Sequence, residues 1–278
     1  MAITFSLLVI VFIVLSMKRR NTEVIVDTNI WYDIAEGKIE KKSFKNYNLV
    51  ANYVNLDELS VTKKLKDKKS FDLVKKVVNK VYLEKSKMII ENPISYLVRL
   101  EYPKADLTRY EENYKGIIKF LDDLRHNRIS HSNISGIESI INNRKDELRE
   151  AAKYFNEDMK SNRENVQSNI QSGNYGEETI RKSNSIDYTK DFIRYLVRSI
   201  TKGKFELSDE FPWEKVELFL YTFDAYRKEY ILSKWLFKPN DWYDLFILVY
   251  VDQKRKYWTN EMKWKKFIKL GGVEKYLV

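Results

Sequence analysis

The chain contains no cysteine and only two histidines, His126 and His131. Without cysteine there is no disulfide, no zinc–thiolate site and no thiol nucleophile. Two histidines give little material for a histidine-bound metal or a Ser/His/Asp triad, so any catalysis must lean on carboxylates. Glycine and proline are scarce as well, 8 and 4 in 278 residues, and the long stretches rich in Lys, Glu, Asn, Leu and Ile between them predict helix. Hydrophobic residues make up 44% and aromatic residues 14%, which excludes disorder and supplies a sizeable core. The length predicts one or two domains.

Positive charge, by contrast, is abundant. The formal net charge of +10 favours polyanions, either nucleic acid or anionic lipid, and equally suits a soluble Lys-rich surface.

Residues Ala2 to Met17, AITFSLLVIVFIVLSM, carry no charge, and Lys18, Arg19 and Arg20 follow at once. The run is at the short end of what a spanning helix needs, about 17 residues. Its charge comes after the run and no small-residue cleavage site follows, unlike a secretory signal. The expectation is a membrane anchor through residues 2–17, with residues 1–20 as anchor and basic flank and the body cytoplasmic. A buried core segment is the alternative.

Downstream, Glu23 to Val26 form a β-branched run, EVIV, stopped by Asp27-Thr28-Asn29. That pattern predicts a buried parallel strand leading into a helix. Tyr47 to Leu65 is amphipathic, and Phe71 to Ile90 predict a helix with Val74, Val77, Val78 and Val81 on one side. Residues 106–204 are rich in Asn, Glu, Lys, Arg and Ser, with spaced apolar residues at Ile117, Ile118, Phe120, Leu121 and Leu124. They predict a helical insertion with a looser part between Ser161 and Ser185. Pro239-Asn240 opens a strongly apolar run, DWYDLFILVYV, expected to be a buried helix capped by Asn240. A basic turn at Lys254 to Lys256, a short YWT strand and a helix from Met262 to Lys269, ended by Gly271-Gly272, complete the chain.

Four acids stand where these elements would present them for metal binding. Asp27 ends the first strand, at the sheet edge where open α/β proteins bind ligands. Glu58 lies on the following helix and Glu261 follows the YWTN strand end. Asp244 enters a helix whose next residues are almost all apolar, which is costly for a carboxylate unless it is paired or binds a cation. Asp241, one turn earlier, is explained by capping and the helix dipole. Clustered carboxylates without His or Cys suit hard cations, Mg²⁺ or Mn²⁺.

The order DTNIW, ELSVT, DLFILVYV, WTNE resembles the PIN-domain nucleases. The resemblance implies a PIN-like three-layer α/β/α fold with a small, mainly parallel central sheet. Residues 21–105 and 205–278 would form its two parts, and 106–204 the insertion between them. It implies catalytic and metal-binding roles for Asp27, Glu58, Asp244 and Glu261, with Thr28, Asn29, Thr259 and Asn260 as their companions. It also implies endonucleolytic cleavage, of RNA rather than DNA, leaving a 5′-phosphate. Glu261 stands where Asp is commoner. Lys254, Arg255 and Lys263 surround Glu261 and suit phosphate contacts, and the interleaved Tyr257, Trp258, Trp264 and Phe267 suit either base stacking or the core. A toxin or defence effector, a homodimer and an inhibitory partner protein are compatible with this reading. A catalytically inactive PIN-like scaffold, and a helical protein binding anionic lipid, are the alternatives.

Overall fold

The computed structural model describes residues 21–83, 88–233 and 235–278. The anchor expected over residues 2–17 lies outside them. The membrane-anchored placement is corrected: among the described residues no helix is long and apolar enough to cross a membrane. The most apolar stretch, after Asn240, is broken into a six-residue α-helix and a 3-10 turn, Ile247–Tyr250.

The molecule is an α/β protein, mostly helical, around one small parallel sheet. Strand β1, Thr22–Val26, lies between β2, Tyr47–Asn52, and β4, Arg255–Trp258, and the short β3, Met88–Ile89, extends the sheet beyond β2. All three pairings are parallel, with Val24 opposite both Leu49 and Lys256. Parallel pairing brings the carboxyl ends of β1, β2 and β4 to one edge, where Asp27 and Thr259-Asn260-Glu261 follow their strands; Lys254 and Arg255, expected around Glu261, stand instead at the amino end of β4, beside Glu23.

The sheet separates two cores. Val24, Val26 and Ala51 face one side, with helix α1 (Thr28–Ala35), α2 (Tyr53–Val61) and α3 (Lys68–Tyr82). Ile25, Val50 and Tyr257 face the other, with α4 (Pro93–Glu101), α9 (Glu217–Leu232), α10 (Asp241–Phe246) and α11 (Met262–Leu270). The alternation follows from the two-residue period of a strand.

The segment 106–204 is helical, as α5 (Thr108–Arg125), α6 (Glu138–Gln171), α7 (Glu177–Lys182) and α8 (Ile186–Ile200). It has no core of its own. Leu121, Leu124 and Ile141 join the first core, and Phe155, Met159, Ile193 and Val197 join the second. The expected looser part begins later than residue 161, because Ala152, Phe155 and Met159 at helical spacing keep α6 packed on the second core.

Two further boundaries differ from the sequence pattern. The stretch from Tyr47 is strand up to Asn52, then helix. The switch is a capping box: Asn52 Oδ1 accepts from the N–H of Val54 and Asn55, while Asn55 Oδ1 accepts from Asn52 N–H at 3.1 Å. The helix expected to reach Ile90 ends at Tyr82, and Met88–Ile89 pair as β3. At the end of α11, Gly271 lies so close to the Tyr221 carbonyl that a Cβ would sit 2.7 Å from its oxygen, and Gly272 takes φ +69°.

Candidate active site

Asp27 is the last residue before α1 and its N-cap. Its Oδ1 accepts the Asn29 N–H at 3.2 Å, and its Oδ2 accepts the Thr259 hydroxyl at 2.6 Å. The Asp27 N–H donates to the Trp258 carbonyl at 3.0 Å, continuing the β1–β4 ladder by one residue. The ladder therefore sets Asp27 beside Thr259-Asn260-Glu261. Asn29 Nδ2 donates to Glu261 Oε1 at 2.7 Å, and Glu261 N–H donates to Thr259 Oγ1 at 3.0 Å. Asn260 reaches back to Asp33 at 3.4 Å.

The other side of Asp27 is set by α2. Asn55 Nδ2 donates to both the Val26 carbonyl (3.1 Å) and Thr28 Oγ1 (3.0 Å), tying the start of α1 to α2. One turn along, the Glu58 carboxyl faces Thr28. Burial pushes its pKa up to about 7, with Asp27 and Glu261 adding to the rise and Thr28 and Lys64 opposing it.

Asp244 enters from α10. Burial raises its carboxyl well above the ordinary range, and the charges of Asp27, Glu261 and Glu58 add to that. The Trp264 indole N–H opposes the rise without forming a well-aligned hydrogen bond. Burial also raises Asp27, against its hydrogen bonds from Thr259, Asn29 and Thr28. Burial and the Asp27 charge raise Glu261.

The structure thus brings together the four acids that the sequence singled out, as electrostatic neighbours at one sheet edge. None of the four forms an ion pair with a Lys, Arg or His among the described residues. They do not yet form a closed ligand set: among the described residues no three acidic or histidine side chains are gathered tightly enough to hold an ion. Like charges held in a dry site repel one another when no cation balances them. The donor set is all oxygen, which fits Mg²⁺ or Mn²⁺.

Asp241 has a different role. It is 4% exposed, paired with Lys263 and bonded by the Lys238 N–H at 2.9 Å, and it anchors the start of α10.

The companions expected for substrate divide. Lys254 is exposed, and Lys263 is engaged with Asp241. Arg255 lies along the sheet, with Nε 3.0 Å from Glu23 and Nη1 3.4 Å from Asp252. Tyr257, Trp264 and Phe267 are fully buried, so the base-stacking option is overturned for them in favour of the core. Trp258 is half-buried and packs against Phe44.

Several residues around the site escaped the sequence reading. Asn55 and Lys64 are two of them. Asp57 and Arg144 are two more: this pair joins α2 to α6 with 2.8 and 3.3 Å contacts, next to Glu58. Asn55 had a local signal, its three-residue spacing from Asn52. Arg144 had none, since only folding brings α6 to α2.

Comparison of the chain with known protein families, with curated proteins and with solved structures finds no match in any of the three.

Proposed function

We propose that the chain is a metal-dependent endoribonuclease on a PIN-like frame. One observation carries the reading: burial and the charge of Asp27, itself 4% exposed, raise the pKa of the half-buried Glu58, Asp244 and Glu261 at the carboxyl edge of a parallel sheet, with no side-chain cation paired to any of the four among the described residues. A fold gains nothing from such an arrangement by itself, because a buried carboxylate without a partner costs stability. The cost makes sense at a site that takes up a cation and an anionic substrate.

Asp27 and Asp244 are the central ligands in this reading. Glu261 and Asn260 complete the shell. A bound Mg²⁺ or Mn²⁺ would hold the phosphodiester, acidify a bound water and stabilise the leaving oxygen. The residues of the chain do the rest. Thr259 and the Asn29 N–H fix the two oxygens of Asp27, and the Asn29 amide turns Glu261 inward. Asn55 fixes Thr28, which faces Glu58. Glu58 would bind the ion or orient the attacking water.

The test is cleavage of single-stranded RNA by the full chain with Mn²⁺ or Mg²⁺. Cutting is expected from the native protein and not from Asp27→Asn or Asp244→Asn. Equal cutting by either variant defeats the proposal. The second reading, an inactive PIN-like scaffold, is favoured by the open geometry of the acids. It gains if calorimetry detects no Mn²⁺ binding that depends on Asp27.

A further inference from the structure

Beside the acidic site lies a cluster of the opposite sign, built from two elements distant in sequence. The turn Lys63–Lys66 follows α2, on which Glu58 sits. It is fastened to the segment leading into α6: Lys66 pairs with Glu138 and donates to Asn142 Oδ1 at 3.2 Å, and the His131 ring bonds the Lys66 carbonyl at 3.0 Å. Glu138, Asn142, Lys145 and Arg149 recur at helical spacing, so they share one face of α6, the face that meets the turn.

Lys145 is the anomaly on that face. Its ammonium is buried and has no hydrogen-bond partner among the described residues. Burial, and then the charges of Lys63, Lys66 and Arg149, lower its pKa to about 8. No carboxylate among the described residues pairs with Lys63. Lys64 lies 3.4 Å over the Tyr32 ring and acts electrostatically on both Glu58 and Glu36. The carboxylates on this surface are already engaged: Glu138 with Lys66, and Asp146 with Arg149 at 2.6 Å. Lys63 and Lys145, left without a carboxylate beside one another's charge, are unfavourable alone, and an anion with several oxygens shared between them reverses the sign.

We infer that Lys63 and Lys145, flanked by the paired Lys66 and Arg149, form a cradle for a backbone phosphate of the single-stranded RNA, held between α6 and the turn that borders the acidic site. Taking the polyanion to be RNA rests on the proposed nuclease reading. The position supports it: Lys64 is common to the edge of the cradle and to the electrostatic surroundings of Glu58, so a strand held here runs toward the acids. The role of the segment 106–204 follows, since α6 supplies half of the cradle.

The experiment is fluorescence anisotropy of a short labelled single-stranded RNA with the full chain in EDTA, which prevents cleavage, over a series of salt concentrations. Lys145→Gln and Lys63→Gln are each expected to weaken binding about threefold to tenfold and to lower the slope of log K against log salt by about one. Lys145→Arg is expected to retain binding, and Lys160→Gln, an exposed change farther along α6, to bind like the native chain. Removing an unpartnered buried ammonium should not lower the melting temperature, so misfolding is separable from lost contact. Native-like affinity and slope in both Gln variants overturn the cradle, as does the absence of RNA binding by the native chain. So does Lys145-dependent binding to phosphatidylserine–phosphatidylcholine vesicles without RNA binding. If binding depends on Lys145 but no metal supports cleavage, the cradle stands and the nuclease reading falls. If cleavage depends on Asp27 but binding ignores Lys145, the reverse holds.

Discussion

Two regions of this protein bury acids, and they treat them in opposite ways. Around α9, Asp224 is 5% exposed and held by Lys228 at 2.9 Å and by the Thr189 hydroxyl at 3.0 Å. Glu229, 8% exposed, lies 2.7 Å from Arg181. Burial pushes Glu229 up, but Arg181 and Lys266 outweigh it and hold its carboxyl below the ordinary value. At the sheet edge, Glu58 is raised to about 7 because no paired cation offsets its burial. Burial is thus not the diagnostic feature of the site. The missing counter-charge is, since breaking a buried pair costs stability, whereas leaving several acids unpaired serves a fold only where a ligand supplies the charge.

The comparison makes predictions that differ between the regions. The largest effect is on activity. Asp27→Asn or Asp244→Asn should reduce metal-dependent RNA cleavage by at least about 100-fold, exceeding what loss of an outer-shell partner costs. Neither should destabilise the metal-free fold, as judged by urea denaturation. The comparison breaks if these variants unfold as readily as Asp224→Asn.

Next comes stability at a paired acid. Arg144→Met leaves Asp57, 4% exposed, without its cation, and is expected to cost about 3 kcal/mol in urea denaturation. A cost near zero would show that pairing does not distinguish the two regions.

The third effect concerns pH. The folded chain binds the Glu58 proton more tightly than the unfolded chain does. Stability from this group is therefore complete below about 4.5, its ordinary value, and is lost as the pH rises through about 7. Glu58→Gln removes that loss and should stabilise the metal-free protein at pH 8 by on the order of 2–3 kcal/mol, with little effect at pH 4. Mn²⁺ should raise the melting temperature of the native chain more at pH 8 than at pH 5. An equal Mn²⁺ effect at both pH values would contradict the assignment of the acids as a cation site.

The smallest effect belongs to the support of Asp27. Thr259→Val removes the 2.6 Å hydroxyl contact and is expected to weaken Mn²⁺ binding about tenfold in calorimetry. The fold should lose only about 1 kcal/mol. A larger stability loss with unchanged Mn²⁺ affinity would make Thr259 a purely structural residue.

Much of the site was legible because its signals are local. EVIV followed by Asp-Thr-Asn announces a strand ending at a helix cap, and Asp244 stands out against the apolar residues after it. Other parts had no local signal. Strand β2 merges in pattern with the helix after it, and only the Asn52–Asn55 capping box separates them. Strand β3 is two residues long and depends on β2 for its definition. Trp264 and Phe267 alternate with lysines as a stacking surface would, but the hydrophobic face of α11 is turned against α9, where Tyr226 stacks on Trp264 with ring centroids 5.8 Å apart.

By itself the sequence limited the class of chemistry: with no cysteine and two histidines, any site must lean on carboxylates, on which the proposed cation site draws. It also determined the strand-to-cap turn at Asp27, because strand period and capping act within a few residues. Only the tertiary structure decided which buried acids are neutralised. Arg144 meets Asp57, Arg181 meets Glu229 and Lys263 meets Asp241, while Asp27, Glu58 and Asp244 feel one another's charge with no paired cation among the described residues. The physical reason is that charge compensation acts through space over a few ångströms, between residues far apart in the chain, 87 positions for Asp57 and Arg144.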